Sequence, residues 1–140
     1  MTNDNLKNIS RRAIEMWTSK NPERPEDVYT DNYINHQEPD VEGGISDKNL
    51  AAWKELLSGF HKAFPDSKIR VLIQIADNGH VATRWEMKAT QSGEYMGLAA
   101  TGRKLTWTGV VVDRFEGDKI VETWVNWDKY RFFEELGLVK

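Results

Sequence analysis

The strongest constraint on this fold is a change of hydrophobic period at Pro65. Before it, apolar residues recur every three or four positions; after it, they alternate. Ile69, Val71, Ile73 and Ile75 are interleaved with Arg70, Leu72 and Gln74, which is the period of a strand over 69–75. Asn78-Gly79 then supplies a two-residue turn in which both positions tolerate positive φ, so the chain returns as a second strand from His80 to about Thr90. A glycine-rich connector over 92–102 leads into a run of β-branched and aromatic residues over 105–115. Glu116-Gly117-Asp118 makes a further hairpin turn, and 120–127 is the last strand.

The N-terminal half reads as helix. Leu6, Ile9, Ala13, Met16 and Trp17 fall at helical spacing and predict an amphipathic helix over about 5–20, ended by Asn21-Pro22. Pro25, with Glu26 and Asp27 behind it, opens a short second helix that stops near Thr30. Residues 31–44, with Pro39 and Gly43-Gly44, show no sustained period and read as a long loop. Ser46 is placed as the cap of a third helix whose stripe is Leu50, Trp53, Leu57, Phe60 and Phe64. A last short helix over 130–136 ends at Gly137. Helices followed by an antiparallel meander predict an α+β domain over 1–140, with helices packed on one face of a curved sheet.

Composition narrows the chemistry. The 140 residues hold 19 Lys and Arg against 22 Asp and Glu, a net charge of −3 with both signs scattered, so no basic face is present for nucleic acid. Cysteine is absent, which removes disulfides, thiolate nucleophiles and Cys-ligated metals. His36, His61 and His80 show no metal-ligand spacing, no Gly-x-Ser-x-Gly elbow is present, and neither a metal nor an organic cofactor is expected. A polar N-terminus and the lack of a long apolar run predict a cytoplasmic protein with no membrane partner.

Four of the six tryptophans, Trp85, Trp107, Trp124 and Trp127, lie in the meander, where they line a core or a cavity. On the last strand Glu122, Trp124, Asn126 and Asp128 share one face, and Val121, Thr123, Val125 and Trp127 the other. On its neighbour Thr108, Val110, Val112 and Arg114 oppose Trp107, Val111, Asp113 and Phe115. With Arg114 and Asp128 on the concave side, the sheet would hold an apolar pocket with a few charged groups, the usual anatomy of a small-molecule site. Burial would raise the pKa of Asp128 and make it a usable general acid/base. The alternative is that Asp128 caps the helix that follows it. Arg114 likewise has a second reading, an ion pair with Glu122 or Glu86. The same parity leaves Trp107, Phe115, Val125 and Trp127 on the convex face and predicts a homodimer through it. Glu122 is read as structural and paired with a cation.

Several segments resemble the SnoaL-like polyketide cyclases, also described as predicted ester cyclases. They are Asn35-His36-Gln37 after Tyr33, Phe64-Pro65-Asp66, the run from Val81 to Trp85, Gly93-Glu94 with Gly97 and Ala100-Thr101-Gly102-Arg103, and the run from Arg114 to Trp124 followed by Asp128 and Leu136-Gly137. The resemblance covers about residues 6–138. It implies a cone-shaped α+β barrel of the nuclear transport factor 2-like superfamily, three helices closing a curved antiparallel sheet around a pocket. It also implies a cofactor-free intramolecular aldol ring closure on a hydrophobic carbonyl-bearing molecule, with Asp128, four residues after Trp124, as acid/base. Arg114 would then stabilise the enolate, Trp124 and Trp85 would stack on a flat ring, and Asn35 and His36 would contact oxygens. The chain departs from the family where Val112 and Arg114 replace polar partners that include a histidine. The alternatives are a non-catalytic binding protein of the same fold and an isomerase or epoxide hydrolase-type relative.

Overall fold

The computed structural model describes residues 2–37 and 47–139. Helix α1 (Asn3–Glu15) is capped by Thr2, whose hydroxyl accepts the backbone N–H of Asn5. Helix α2 (Pro25–Val28) starts with proline at its first position, where no intrahelical N–H is needed. Strand β1 (Tyr29–His36) and strand β2 (Asp47–Asn49) come next, then α3 (Leu50–Ala63). The meander is β3 (Lys68–Asp77), β4 (His80–Thr90), β5 (Lys104–Glu116) and β6 (Lys119–Trp127), and α4 (Lys129–Glu135) follows it. Among the described residues no helix is long and apolar enough to cross a membrane.

The six strands form one open, mixed sheet in the order β2-β1-β6-β5-β4-β3. Among the described residues every pairing is antiparallel except β1 with β6, which is parallel and carries a register shift between Tyr29 and Ile34. Two expectations are corrected here. The sheet is neither closed nor wholly antiparallel, and residues 31–36, read as loop, are the greater part of β1. Tyr29, Tyr33 and Asn35 are buried, whereas Asp31 and Asn32 are exposed, so the bulge in β1 breaks the alternation that would have revealed it. The third helix starts at Leu50 with Asn49 as its cap, accepting from the N–H of Ala52; Ser46 lies outside the described residues. The β3–β4 turn is as expected, with positive φ at both Asn78 (52°) and Gly79 (71°).

Helices α1 and α3 lie across the concave face and α4 closes one end against β5. Two aromatic-rich clusters fill the space between. One joins Phe60, Phe64, Ile69, Trp85, Met87, Trp107 and Phe132; the other joins Ile9, Met16, Tyr29, Tyr33, Trp53 and Ile120. A seven-residue helix such as α4 is unstable alone. It is held by Phe132, fully buried edge-on to Trp107 at 4.9 Å and Trp127 at 5.3 Å, a burial of roughly 1.5–3 kcal/mol.

Candidate functional site

The concave face encloses a cavity of about 190 Å³. Its floor is the inward parity of the central strands: Trp85 and Met87 of β4, Trp107, Val111 and Asp113 of β5, and Thr123, Val125 and Trp127 of β6. Ile14 of α1, Trp17 just after it, and Trp53 and Phe60 of α3 roof it. This inverts the expected parity. Trp107, Val125 and Trp127 face the cavity rather than the convex surface, while Arg114, Glu122 and Trp124 lie outside it. The physical reason is desolvation. A row carrying Arg114 and Glu122 stays where water reaches it, whereas Asp113 is the lone carboxylate of its row and can be buried because hydroxyls surround it.

Asp113 is the chemical centre of the cavity. Its side chain is buried, Ser10 Oγ donates to Oδ2 at 2.8 Å, and Thr123 Oγ1 donates to Oδ1 at 2.7 Å. Burial pushes its pKa up from 3.8 to about 6, against the two hydroxyls, which favour the anion. Each carboxylate oxygen accepts one of these bonds and keeps a lone pair free. Beyond Thr123 stand Tyr33 and Tyr29, both phenols driven well above their usual pKa by burial and therefore protonated donors. Asn35 Nδ2 donates to the Tyr33 hydroxyl at 2.7 Å. Lys48 and Lys129 also line the cavity, the latter with its ammonium 5.6 Å from the Trp127 ring centre. Trp85 is buried and its indole nitrogen has no hydrogen-bond partner.

The residues singled out from sequence divide between the two sides of the sheet. Asn35 and Trp85 line the cavity. Asp128 is exposed, does not line it, and caps α4 by accepting from the N–H of Arg131 at 3.0 Å. Arg114 pairs with Glu122 on the outer face at 2.9 Å, which was its alternative reading. His36 and Trp124 are also outside, stacked at 5.5 Å. The placement of Arg114, Asp128, His36 and Trp124 around the pocket is therefore corrected. Asp113, Thr123, Ser10 and the two tyrosines were missed, although a single carboxylate in the apolar parity of a Val-Val-Val-Asp strand was visible. Among the described residues no cluster of His, Asp and Glu is placed to hold a metal ion.

The outer cluster has its own electrostatics. His36 Nδ1 meets Asp47 at 2.8 Å and Nε2 meets Glu122 at 2.7 Å, so both ring nitrogens face carboxylates and the imidazolium is favoured. The bond to Glu122 raises the His36 pKa above 6.5, and that to His36 lowers the Glu122 pKa below 4.5. The histidine's contribution to stability is complete below 6.5 and fades as pH rises through its raised folded pKa. That of Glu122 is complete above 4.5 and fades as pH falls through its depressed folded pKa. The thermal stability lost in His36→Gln should therefore be greatest between 4.5 and 6.5 and shrink above that window. A difference that stays flat from mildly acidic to alkaline pH would contradict the double ion pair.

The comparisons follow this geometry. The SnoaL-like polyketide cyclase family matches residues 7–136. No curated protein is significantly similar in sequence. Among solved structures, the chain is similar to AclR, a proposed hydroxylase of Streptomyces galilaeus, at 25% identity and TM-score 0.79, covering 96% of this chain and 99% of that one. It is similar to IdmH, a proposed polyketide cyclase of Streptomyces antibioticus, at 24% identity and TM-score 0.80, covering 94% and 98%. A proposed polyketide cyclase of Acidithiobacillus ferrooxidans gives 23% identity and TM-score 0.80, covering 97% and 96%. The latter two likenesses are of fold alone. With the family match spanning all the strands of the sheet and every side chain that meets Asp113, the chain belongs to the SnoaL-like polyketide cyclase family.

Proposed function

We propose that this protein is a cofactor-free acid/base enzyme that closes a ring in a hydrophobic carbonyl compound, with Asp113 as the proton acceptor and donor. The observation that carries this reading is a buried carboxylate, the one carboxylate among the described residues that line the cavity, held by two hydroxyls in an aromatic-rich setting. Asp113 takes a proton from a carbon next to a carbonyl, and the resulting enolate carbon attacks a second carbonyl carbon of the same molecule. The new C–C bond leaves an alkoxide oxygen, which receives the proton back from Asp113, so nothing else is consumed. The neighbouring carbonyl spreads the enolate charge, and Lys48 or Lys129 can face the developing oxyanion.

Cavity size limits the substrate. An engineered apolar cavity of about 150 Å³ holds benzene, so about 190 Å³ suits a molecule of one or two rings. A suitable probe is 2-tetralone, which has two rings and acidic hydrogens beside a ketone. Incubation in heavy water should show protein-catalysed exchange of those hydrogens by NMR. Binding without exchange would favour the non-catalytic carrier, and native mass spectrometry of the freshly purified protein would identify its cargo.

Assembly belongs to the same proposal. The homodimer is retained, but its face is the one that carries Ile73, Ile75, Val110 and Trp124. Strand register sets Ile75, Ala82, Val112 and Trp124 in one row across β3 to β6, and Ile75 is 64% exposed. The occupant is a second copy, because Arg84, Glu86, Arg114 and Glu122 intersperse both signs on that face and can complement themselves across a two-fold axis. Sedimentation should give a dimer for the wild type and a monomer for Ile75→Lys with Val110→Lys. A wild-type monomer at micromolar concentration would refute it.

A further inference from the structure

Strand pairing lines up one polar row across the floor of the cavity. Lys48 of β2 is paired with Asn35 of β1, Asn35 with Thr123 of β6, and Thr123 with Asp113 of β5. All four residues line the cavity. Beyond Asp113 the row turns apolar, with Val81 of β4 and Ala76 of β3. The next rows of the floor are apolar as well: Val125 beside Val111, Trp127 and Trp85 on either side of Gly109, and Trp107 beside Met87 and Ile69.

Opposite charges stand at the two ends of the polar row. Neighbouring strands lie about 4.8 Å apart, so the Cα atoms of Lys48 and Asp113, three strands removed, are roughly 14 Å from each other. Asp47 meets His36 on the outer face, and alternation therefore turns Lys48 inward. Lys48 is half-buried there, and among the described residues it forms no ion pair. An ammonium that gives up water without a counter-ion costs the fold free energy, and a ligand anion would offset that cost. Asn35 serves the same end of the row. Its Oδ1 accepts from Gln37 and one of its N–H groups goes to the Tyr33 hydroxyl, which leaves the second N–H for a ligand oxygen.

We propose that the substrate of this cavity is a carboxylate-bearing ketone, bound along the polar row with its anionic group at Lys48 and Asn35 and its acidic carbon at Asp113. This rests on the ring-closing reading and names the substrate class for it. Lys48 fixes which end of the molecule meets the base, and the developing oxyanion is left to Lys129, which begins α4 just beyond the end of β6. The length of the row suits a two-ring molecule whose carboxylate is on the ring remote from the ketone.

The test compares two probes of one shape, 2-tetralone bearing a carboxylate at position 6 and the same ketone bearing a carboxamide there. Position 6 sets the substituent at the opposite end of the long axis from the ketone. Calorimetry at neutral pH should show the wild type binding the carboxylate roughly 10–100-fold more tightly, the contribution of a hydrogen bond to a charged group. Lys48→Met should bring the two affinities together, whereas Lys48→Arg and Lys129→Met should each retain the preference. Lys48 stands on a three-residue edge strand, so its replacement leaves the core intact. Equal wild-type affinities, no binding of either probe, or a preference that survives Lys48→Met would overturn the proposal. Exchange in heavy water separates it from the reading it rests on. Preferential binding of the carboxylate without exchange of its ketone hydrogens would support the anion site and sink Asp113 as proton acceptor. Exchange of 2-tetralone with no preference for the carboxylate would overturn the anion site alone.

Discussion

Asp113→Asn should abolish proton transfer without harming the fold. Loss of a general acid/base is worth roughly 10²–10⁴ in rate, and exchange of the ketone probe should fall by that factor. Stability should move the other way. Displacing a carboxyl from 3.8 to about 6 costs the folded state roughly 3 kcal/mol at neutral pH, because the ionised group has lost its water. A group whose folded pKa is raised favours the folded state most below its unfolded value and least above its folded one. Acidification through 6 should therefore relieve the strain in the wild type, an increment that Asp113→Asn lacks. The amide removes the charge, and the Ser10 and Thr123 hydroxyls can rotate to donate to its oxygen or accept from its nitrogen. Higher melting at neutral pH together with lost activity marks a residue kept for function rather than for stability. The wild-type rate should fall as pH drops through about 6, since the base must be ionised. Unchanged exchange in Asp113→Asn, beside a loss in Asp128→Asn, would return the acid/base role to Asp128.

That contrast shows where sequence reasoning carried and where it stopped. The turn at Asn78-Gly79, the span of β4 and the stripe of α3 are set by local chemistry and lie where periodicity puts them. The inward face of β5 and β6 is not set locally. Both parities carry tryptophan, Trp107 and Trp127 on one and Trp124 on the other, so alternation alone assigns neither to the core. What decides it is tertiary. Ser10, on a helix 103 residues earlier, supplies a hydroxyl that makes burial of Asp113 tolerable, and no such partner waits for Arg114 or Glu122. These two instead make a surface network with His36, itself delivered by a strand whose bulge hid it from the alternation test. Asp128 illustrates the opposite case. Its capping of α4 is a local interaction three residues long, and the local reading was the one the structure bears out.

Gly109→Ala should destabilise the protein against the intrinsic preference of the residues. In a strand, exchanging glycine for alanine ordinarily reduces the entropy lost on folding and gains about 0.5–1 kcal/mol. Here the added Cβ would lie 2.3 Å from Cζ2 of Trp85 and 2.7 Å from Cε2, far inside the roughly 3.5–4.0 Å at which carbons rest. The obstacle is an indole ring packed flat over Gly109 and buried among Ile69, Met87, Trp107 and Val111, so it cannot swing aside without displacing the cavity floor. Overpacking of this kind costs about 1–3 kcal/mol, which in a domain of this size lowers the melting temperature by roughly 4–12 °C. The second consequence is functional. Trp85 can yield only by rising into the cavity, and the space lost there should weaken binding of 2-tetralone. A smaller ring at position 85 relieves the clash, so Trp85→Phe should cost less in the Gly109→Ala background than in the wild type, a favourable coupling between residues paired across β4 and β5. Melting of Gly109→Ala at or above the wild type would mean that the indole is free to move, and that glycine at this position is not what shapes the cavity floor.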